Sequence, residues 1–415
     1  MRTLALALTA AALLAGCASP SPNQAGSDEA STTAASTSTA ADDTSTSGSS
    51  GSGSDGSSGS GSDSSTGDGP PPDPVTMMLM DAVIFYDGYA ATVDEPVPEG
   101  IVRHSNALMA TRFTEAQQAL LQQTLMLGVI VGARCDNYDR IGAVHLALVP
   151  KGAEGYVPAE VDRIEVARFI TPFMDMNESP MTVPYEFEVD DLLPILRDPA
   201  LLAEYDLWFE LMIFGVPYAA NTEIPGCADR NDTQDGTLLL YTDSSREPVA
   251  FDALVPLAIE QSFNNYARGA SDAIGTTRKT IAFEVPEGSQ RSQLVLITSN
   301  HGANAGGEEY IRRDHLVSVD GAMVLQYKPG RTSCEPFRKY NTQGNGIYGP
   351  TPMTDEQWQS FSNWCPGDVI DIRRIDLGDI APGPHEFVID VPDAEFVGGQ
   401  GDFPLSLYLQ SSTRG

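Results

Sequence analysis

The chain has 415 residues, 41% of them hydrophobic and 20% charged, with a formal net charge of −33 at pH 7. A surface this acidic repels phosphate backbones and anionic lipid, which excludes nucleic acid as a natural partner. Residues 76–415 are enough for one large domain or two ordinary ones, and two suit the length better.

Met1 and Arg2 lead into an apolar run from Leu4 to Leu14, broken by Thr9, that ends in Leu14-Ala15-Gly16-Cys17. The run is shorter than the roughly 20 residues of a spanning helix and has the order of a removable secretion signal. Ala15-Gly16 gives a peptidase access to the bond that follows, and the Cys17 thiol can take a diacylglyceryl group. This resembles the bacterial lipobox. It implies cleavage after residue 16, a lipid on Cys17 and attachment to a membrane through that lipid. Ala18-Ser19 bring no acid that would retain the protein at the inner membrane, so the outer membrane or cell surface is expected. Residues 17–75 are Ser-, Thr-, Gly- and Asp-rich with almost no large apolar side chain, so nothing there offsets ordering entropy. Such a tether reaches about 40 Å root-mean-square, and Gly69-Pro70-Pro71-Pro72 stiffens its end.

Beyond residue 76 the apolar runs are short, rich in Val, Ile, Phe and Leu, and cut by Gly, Pro and Asp, the pattern of an all-β protein with many turns. Strands are predicted at 125–131, 143–149, 163–170, 185–189, 205–214, 280–285, 293–299, 315–319, 323–327, 386–391 and 405–409. Helix is scarce: Thr114–Gln122, with Thr114 as N-cap and Gln117 three residues on, and Asp190–Arg197. From 226 to 246 the chain is mostly polar apart from Leu238–Tyr241, which puts a boundary near 245 between domains at 76–245 and 246–415. Two packed antiparallel sandwiches follow from the strand count.

Besides Cys17 there are four cysteines, Cys135, Cys227, Cys334 and Cys365. An even count in an oxidising compartment points to two disulfides. Of the three pairings, Cys334 with Cys365 is favoured because both lie in the C-terminal half, which leaves Cys135 with Cys227. Neither pair has zinc-ligand spacing. His104, His145, His301, His315 and His385 stand singly, so a transition metal has little to bind.

Three places hold carboxylates that packing alone would not put there. In Tyr205–Phe214 both faces read apolar, and an ionised Glu210 among them is costly unless paired or open to a cleft; a strand edge that leaves it in water is the plain alternative. Cys135-Asp-Asn-Tyr-Asp-Arg140 makes a polar rim between two apolar strands, or simply a turn with solvated charges. Ser299–Arg313 combines Gly302, Gly306 and Gly307 with Glu308-Glu309 and Arg312-Arg313. No Gly-Lys-Ser/Thr follows and the acids repel phosphate, so it is not a phosphate loop.

Together with Arg168-Phe-Ile-Thr-Pro172, Trp208-Phe-Glu210, Gly306-Gly-Glu-Glu-Tyr310 followed by arginine and His315, and Asn363-Trp-Cys-Pro-Gly367, the rim segment resembles the peptide-N-glycosidase F family, amidases that release whole N-linked glycans from glycoproteins. The motifs run in the family's order across nearly all of the folded part. The resemblance implies two eight-stranded antiparallel jelly rolls side by side with the active site in their cleft. It places the principal catalytic aspartate at Asp139, the interfacial glutamate at Glu309 and a third acid at Glu210. Tyr138, Arg140, Trp208 and Arg313 are then substrate contacts, and the family's second-domain cysteine pair falls on Cys334 and Cys365. Amide hydrolysis needs an activated water and a protonated leaving nitrogen, tasks that converging carboxylates can divide without metal or cofactor. The chain departs from the family at Phe361, where an arginine is usual, at Met212, where a tryptophan is usual, and in lacking a cysteine partner just ahead of Cys135.

The expected partners are N-linked glycoproteins or glycopeptides. A surface glycan-binding or adhesive module on the same fold is the alternative, favoured by the Met212 and Phe361 departures and opposed by the three acids. A copper monooxygenase shares the paired jelly-roll architecture but needs the clustered histidines this chain lacks.

Overall fold

The computed structural model describes residues 72–246, 251–262, 272–301, 308–344, 347–359, 363–396 and 401–413. Cys17 and the tether lie outside them, as do Gly302, Gly306, Gly307 and Phe361.

The first domain contains β1 (Val75–Tyr86), β2 (Ile101–Ser105), β3 (Leu108–Arg112), β4 (Met126–Ala133), β5 (Ile141–Pro150), β6 (Asp162–Ile170), β7 (Thr182–Glu188), β8 (Tyr205–Ile213) and β9 (Asp232–Thr242). The second contains β10 (Ala253–Ser262), β11 (Arg278–Val285), β12 (Arg291–Thr298), β13 (His315–Val319), β14 (Ala322–Tyr327), β15 (Arg373–Gly378), β16 (Gly383–Asp390) and β17 (Pro404–Ser412). Sheet order is β1-β9-β4-β7 and β2-β3-β8-β5-β6 in the first, β10-β17-β12-β15 and β11-β16-β13-β14 in the second, all pairs antiparallel. The architecture is the expected all-β pair of jelly-roll sandwiches; the β2–β3 hairpin lengthens one sheet of the first, which has nine strands where eight were expected.

Each sandwich closes because one face of each sheet is apolar. Leu127, Val129 and Val131 of β4 alternate inward against Leu207, Phe209, Leu211 and Ile213 of β8, all fully buried. Each such side chain contributes about 1.5–3 kcal/mol of burial. The predicted strands all appear. Thr114 forms the expected capping box with Gln117, but the helix it starts runs only over Glu115–Gln118. Asp190–Leu192 is a 3-10 turn leading into the short helix Leu193–Leu196. Strand β9 ends at Thr242 and β10 begins at Ala253, on either side of position 245.

The two domains meet along β6, the edge strand of its sheet. Its free edge pairs with the second domain: Phe169 bridges Val369, the Ile170 N–H donates to the Asp368 carbonyl at 2.9 Å, and Ile370 N–H donates to the Arg168 carbonyl at 2.8 Å. The fully buried Arg168 pairs with Glu165 at 2.7 Å and donates across the junction to Ser299 Oγ at 2.8 Å and the Pro404 carbonyl at 2.9 Å. Residues that follow continue the contact, with Phe173 N–H donating to Asn341 Oδ1 at 2.9 Å and Asp175 N–H to Thr342 Oγ1 at 3.0 Å. The Arg168–Pro172 motif is thus the seam of the molecule, and it sets where loops of the two halves face each other.

Candidate active site

The rim segment leaves β4 and is pinned at once by the Cys135–Cys227 disulfide, with an S–S distance of 2.08 Å. Asp136, almost fully buried, then organises it. Its carboxylate accepts from the N–H of Tyr138 at 3.0 Å and of Val216 at 2.6 Å, and from Arg140 Nε at 2.7 Å and Nη2 at 3.2 Å. Arg140 N–H donates to Thr171 Oγ1 and Thr171 N–H returns a bond to the Arg140 carbonyl, both at 2.8 Å, which ties the loop to the seam. Asp139 is held between these fixed points, half-buried. Burial first, then the like charge of Glu309, pushes its carboxyl up to about 8, against the opposing pull of Arg140.

Glu309 arrives from the second domain. The turn that carries it is fastened by Asn363 of the Asn363–Gly367 motif, whose amide donates to the carbonyls of Glu308 and, at 3.0 Å, Glu309, while its backbone N–H donates to the Glu309 carbonyl at 3.2 Å. Trp364 Nε1 donates to the Asn300 carbonyl at 3.0 Å, and the Cys334–Cys365 disulfide locks the same stretch. Both disulfides are the expected ones. Tyr310 bonds through its hydroxyl to Glu309; burial first, then Glu309 and lastly Asp139, keep that hydroxyl protonated well above the usual tyrosine range. Tyr348 also feels Asp139. Acids from both halves therefore lie within each other's field, with Tyr310 bonded to one of them.

Glu210 is a correction. It was expected to converge with the other two; instead its carboxylate is fully enclosed by Tyr156 Oη at 2.7 Å, Arg163 Nε at 2.8 Å and Nη2, and His145 Nδ1 at 3.4 Å. In the sheet it stands opposite His145, while the Asp139 loop enters at Ile141. About 13 Å of strand separates His145 from Ile141. His145 in turn meets Glu260 of the second domain at 3.3 Å, so this too is a cross-domain cluster, but a separate one. The reason is composition: a buried carboxylate takes the nearest cations, and Arg163 and His145 project from neighbouring strands on the same face.

Two expected substrate contacts have other partners. Trp208 is buried among Ala110, Ala147, Val149 and Tyr156, with no face open to a sugar. The Arg313 guanidinium is committed to the buried Glu308 at 2.9 Å. Arg140 divides itself between Asp136, the Val216 carbonyl at 3.4 Å and the Tyr138 ring at 5.4 Å, so its main service is to hold the loop. Tyr138 is the exposed member, 43% accessible and 5.9 Å from Phe173. Met212 lies half-buried opposite Ala143, between Glu210 and the rim. The histidines go to separate places: His104 packs tilted against Tyr156, 4.5 Å between centroids, His301 bonds Ser299, His315 lies between the Arg313 carbonyl and Asn300, and His385 pairs with Asp320. Asn363, Tyr310 and Asp136 were missed as individual contributors, although each stood inside a motif the sequence had marked.

Among curated proteins no sequence matches. A solved structure of PNGF-II superposes with a TM-score of 0.59 at 18% identity, over 82% of this chain and 66% of that one, so a third of that relative has no counterpart here. Recombinant peptide:N-glycanase F superposes with a TM-score of 0.55 at 15% identity, over 83% of this chain and 97% of that one. PNGase F, described as a glycosylasparaginase from Flavobacterium meningosepticum, gives 0.53 at 14%, again over 83% and 97%. At these identities the likeness is one of fold. The family models carry more: peptide-N-glycosidase F, N terminal, matches residues 76–228, and peptide-N-glycosidase F, C terminal, matches 270–410. Covering most of both sandwiches and including Asp139 and Glu309, they make this chain a member of the peptide-N-glycosidase F family.

Proposed function

We propose that the protein is an amidase that hydrolyses the bond between asparagine and N-acetylglucosamine in N-linked glycoproteins or glycopeptides, with Asp139 and Glu309 as its catalytic pair. What supports this reading is a pair of carboxylates supplied by different domains and within each other's field, with burial and the charge of Glu309 raising the Asp139 carboxyl to about 8. Such a pair can split the labour of amide hydrolysis. Water bonds to the carbonyl carbon as Glu309 takes or orients its proton. The carbon–nitrogen bond then breaks as Asp139 gives its proton to the leaving glycosylamine, and the peptide is left with aspartate. Tyr310 orients Glu309, and Tyr138 offers an exposed ring to the substrate. Glu210 touches no part of this path and acts as a brace between the domains.

Export and a lipid on Cys17, with the enzyme at the outer membrane or cell surface, belong to the same proposal and are tested by mass spectrometry of the mature N-terminus. For the activity, the purified chain is incubated with a denatured N-glycoprotein. Free glycan together with conversion of the asparagine to aspartate supports the amidase. Retention of the glycoprotein without release supports instead the glycan-binding module, which the enclosure of Glu210 away from the other two acids favours.

A further inference from the structure

Next to the rim loop lies an aromatic surface that the proposed hydrolysis does not use. Tyr89 is 72% and Tyr218 60% exposed, and Phe214 is half-buried. The Tyr89 ring meets Phe214 edge-on, 5.1 Å between centroids at 75°. Phe214 lies so close over Gly88 that a Cβ there would come within 2.5 Å of its ring, which is why the position is glycine. The buried Asp87 accepts the Tyr89 N–H at 3.0 Å and also bonds the Tyr218 hydroxyl.

The backbone beneath is fixed. Asn106 donates to the carbonyls of Asp87 at 2.8 Å and Ala91 at 3.1 Å and accepts from Val93 N–H at 2.9 Å, clamping the loop that carries Tyr89. Gly88 N–H donates to the Gly215 carbonyl at 2.9 Å. One residue on, Val216 is bonded to Asp136 and Arg140, and Phe214 N–H donates to the Ile141 carbonyl at 3.2 Å. The aromatic surface and the Asp139 loop therefore share one frame.

Large tyrosine faces kept in water on a rigid backbone are costly to leave uncovered and are typical of contact sites. Exposed rings on a fixed backbone suit a pyranose, whose C–H face stacks on the aromatic, while the buried Asp87 holds Tyr89 and Tyr218 in place. A nucleic-acid base would meet the same rings but is repelled by the chain's charge. We propose that Tyr89, Phe214 and Tyr218 form an outer sugar subsite that stacks a pyranose of the N-glycan beyond the residues attached to asparagine. This rests on the amidase reading and extends it to selection by glycan size.

The test compares Tyr89→Ala/Tyr218→Ala with the unaltered protein on one glycopeptide bearing either a full branched glycan or only its two innermost N-acetylglucosamines. The expected result is a KM about tenfold higher for the long glycan, with kcat and the short-glycan KM unchanged, and with Tyr89→Phe behaving as the parent. An equal loss on both substrates, or no loss on either, overturns the subsite; a loss that follows peptide length rather than glycan length means the surface holds polypeptide and also overturns it. If the unaltered protein releases neither glycan, the amidase reading fails by itself. Calorimetric binding of the free branched oligosaccharide, weaker by the same factor in the double variant and equal in both if the subsite is wrong, still decides the matter.

Discussion

The Asp139–Glu309 pair and the Glu210–His145–Glu260 cluster use the same chemistry to opposite ends. In both, carboxylates from the two domains approach one another across the β6 seam. Asp139 meets Glu309 with Arg140 turned mainly toward Asp136, so burial and like charge win and the carboxyl keeps its proton to about 8. Around Glu210 burial pushes the same way, but His145 and Arg163 outweigh it and hold the acid ionised. Burial pulls His145 down, and Glu260 and Glu210 together lift it above its usual range. The lesson is that the third partner decides: two acids alone make a proton donor, whereas two acids around cations make a brace.

The comparison predicts loss of turnover from one cluster and loss of stability from the other. Asp139→Asn should lower kcat/KM by about 10³-fold or more, since it removes the proton donor, while circular dichroism shows the fold intact. Glu210→Gln should cost about 3–5 kcal/mol in urea unfolding, because Arg163 is then left buried and unpaired; a stable variant with impaired turnover would give Glu210 a place at the substrate after all. Asn363→Ala, which frees the Glu309 turn, should lower kcat about tenfold with little change in KM. Trp208→Phe should alter KM less than about twofold, as its ring is packed away from solvent.

Stability against pH separates the clusters too. The folded Asp139 binds its proton more tightly than the unfolded chain does, so its contribution is complete below about 4 and is lost as pH rises toward 8. Glu210 runs the other way: its contribution is present above its usual carboxylate range and is lost as pH falls below it. Asp139→Asn should therefore raise Tm relative to the parent at pH 8.5 and not at pH 4, and Glu210→Gln should do most damage near neutrality.

Much of this was legible in the residues. Strands β4, β5, β6, β8 and β12 are β-branched or aromatic runs with clear ends, and the disulfides followed from their halves of the chain. Strand β1 was missed because Ala82, at φ 45°, breaks its alternation with a bulge between Met80 and Val83. Strand β9 was missed because it is polar at its start yet central in its sheet; Thr237 Oγ1 accepts the Ala82 N–H at 3.0 Å, and Gly236 leaves room for Leu211, Ile213 and Phe85. Edge strands β10 and β15 hide behind Pro256 and Arg373-Arg374, residues that suit an unpaired edge. In the site, motif order pointed to Asp139 and Glu309. It could not find that Arg163, Tyr156, His145 and Glu260 enclose Glu210, since those residues are scattered in sequence and meet only through strand register.

The most direct test is the carboxyl titration of Asp139 itself, followed by NMR on carbon-labelled aspartate in the parent and in Glu309→Gln. A midpoint near 8 that falls when Glu309 loses its charge is the predicted result. A midpoint near 4 in the parent, or one that Glu309→Gln leaves unmoved, would contradict the claim that the two domains build a proton donor between them.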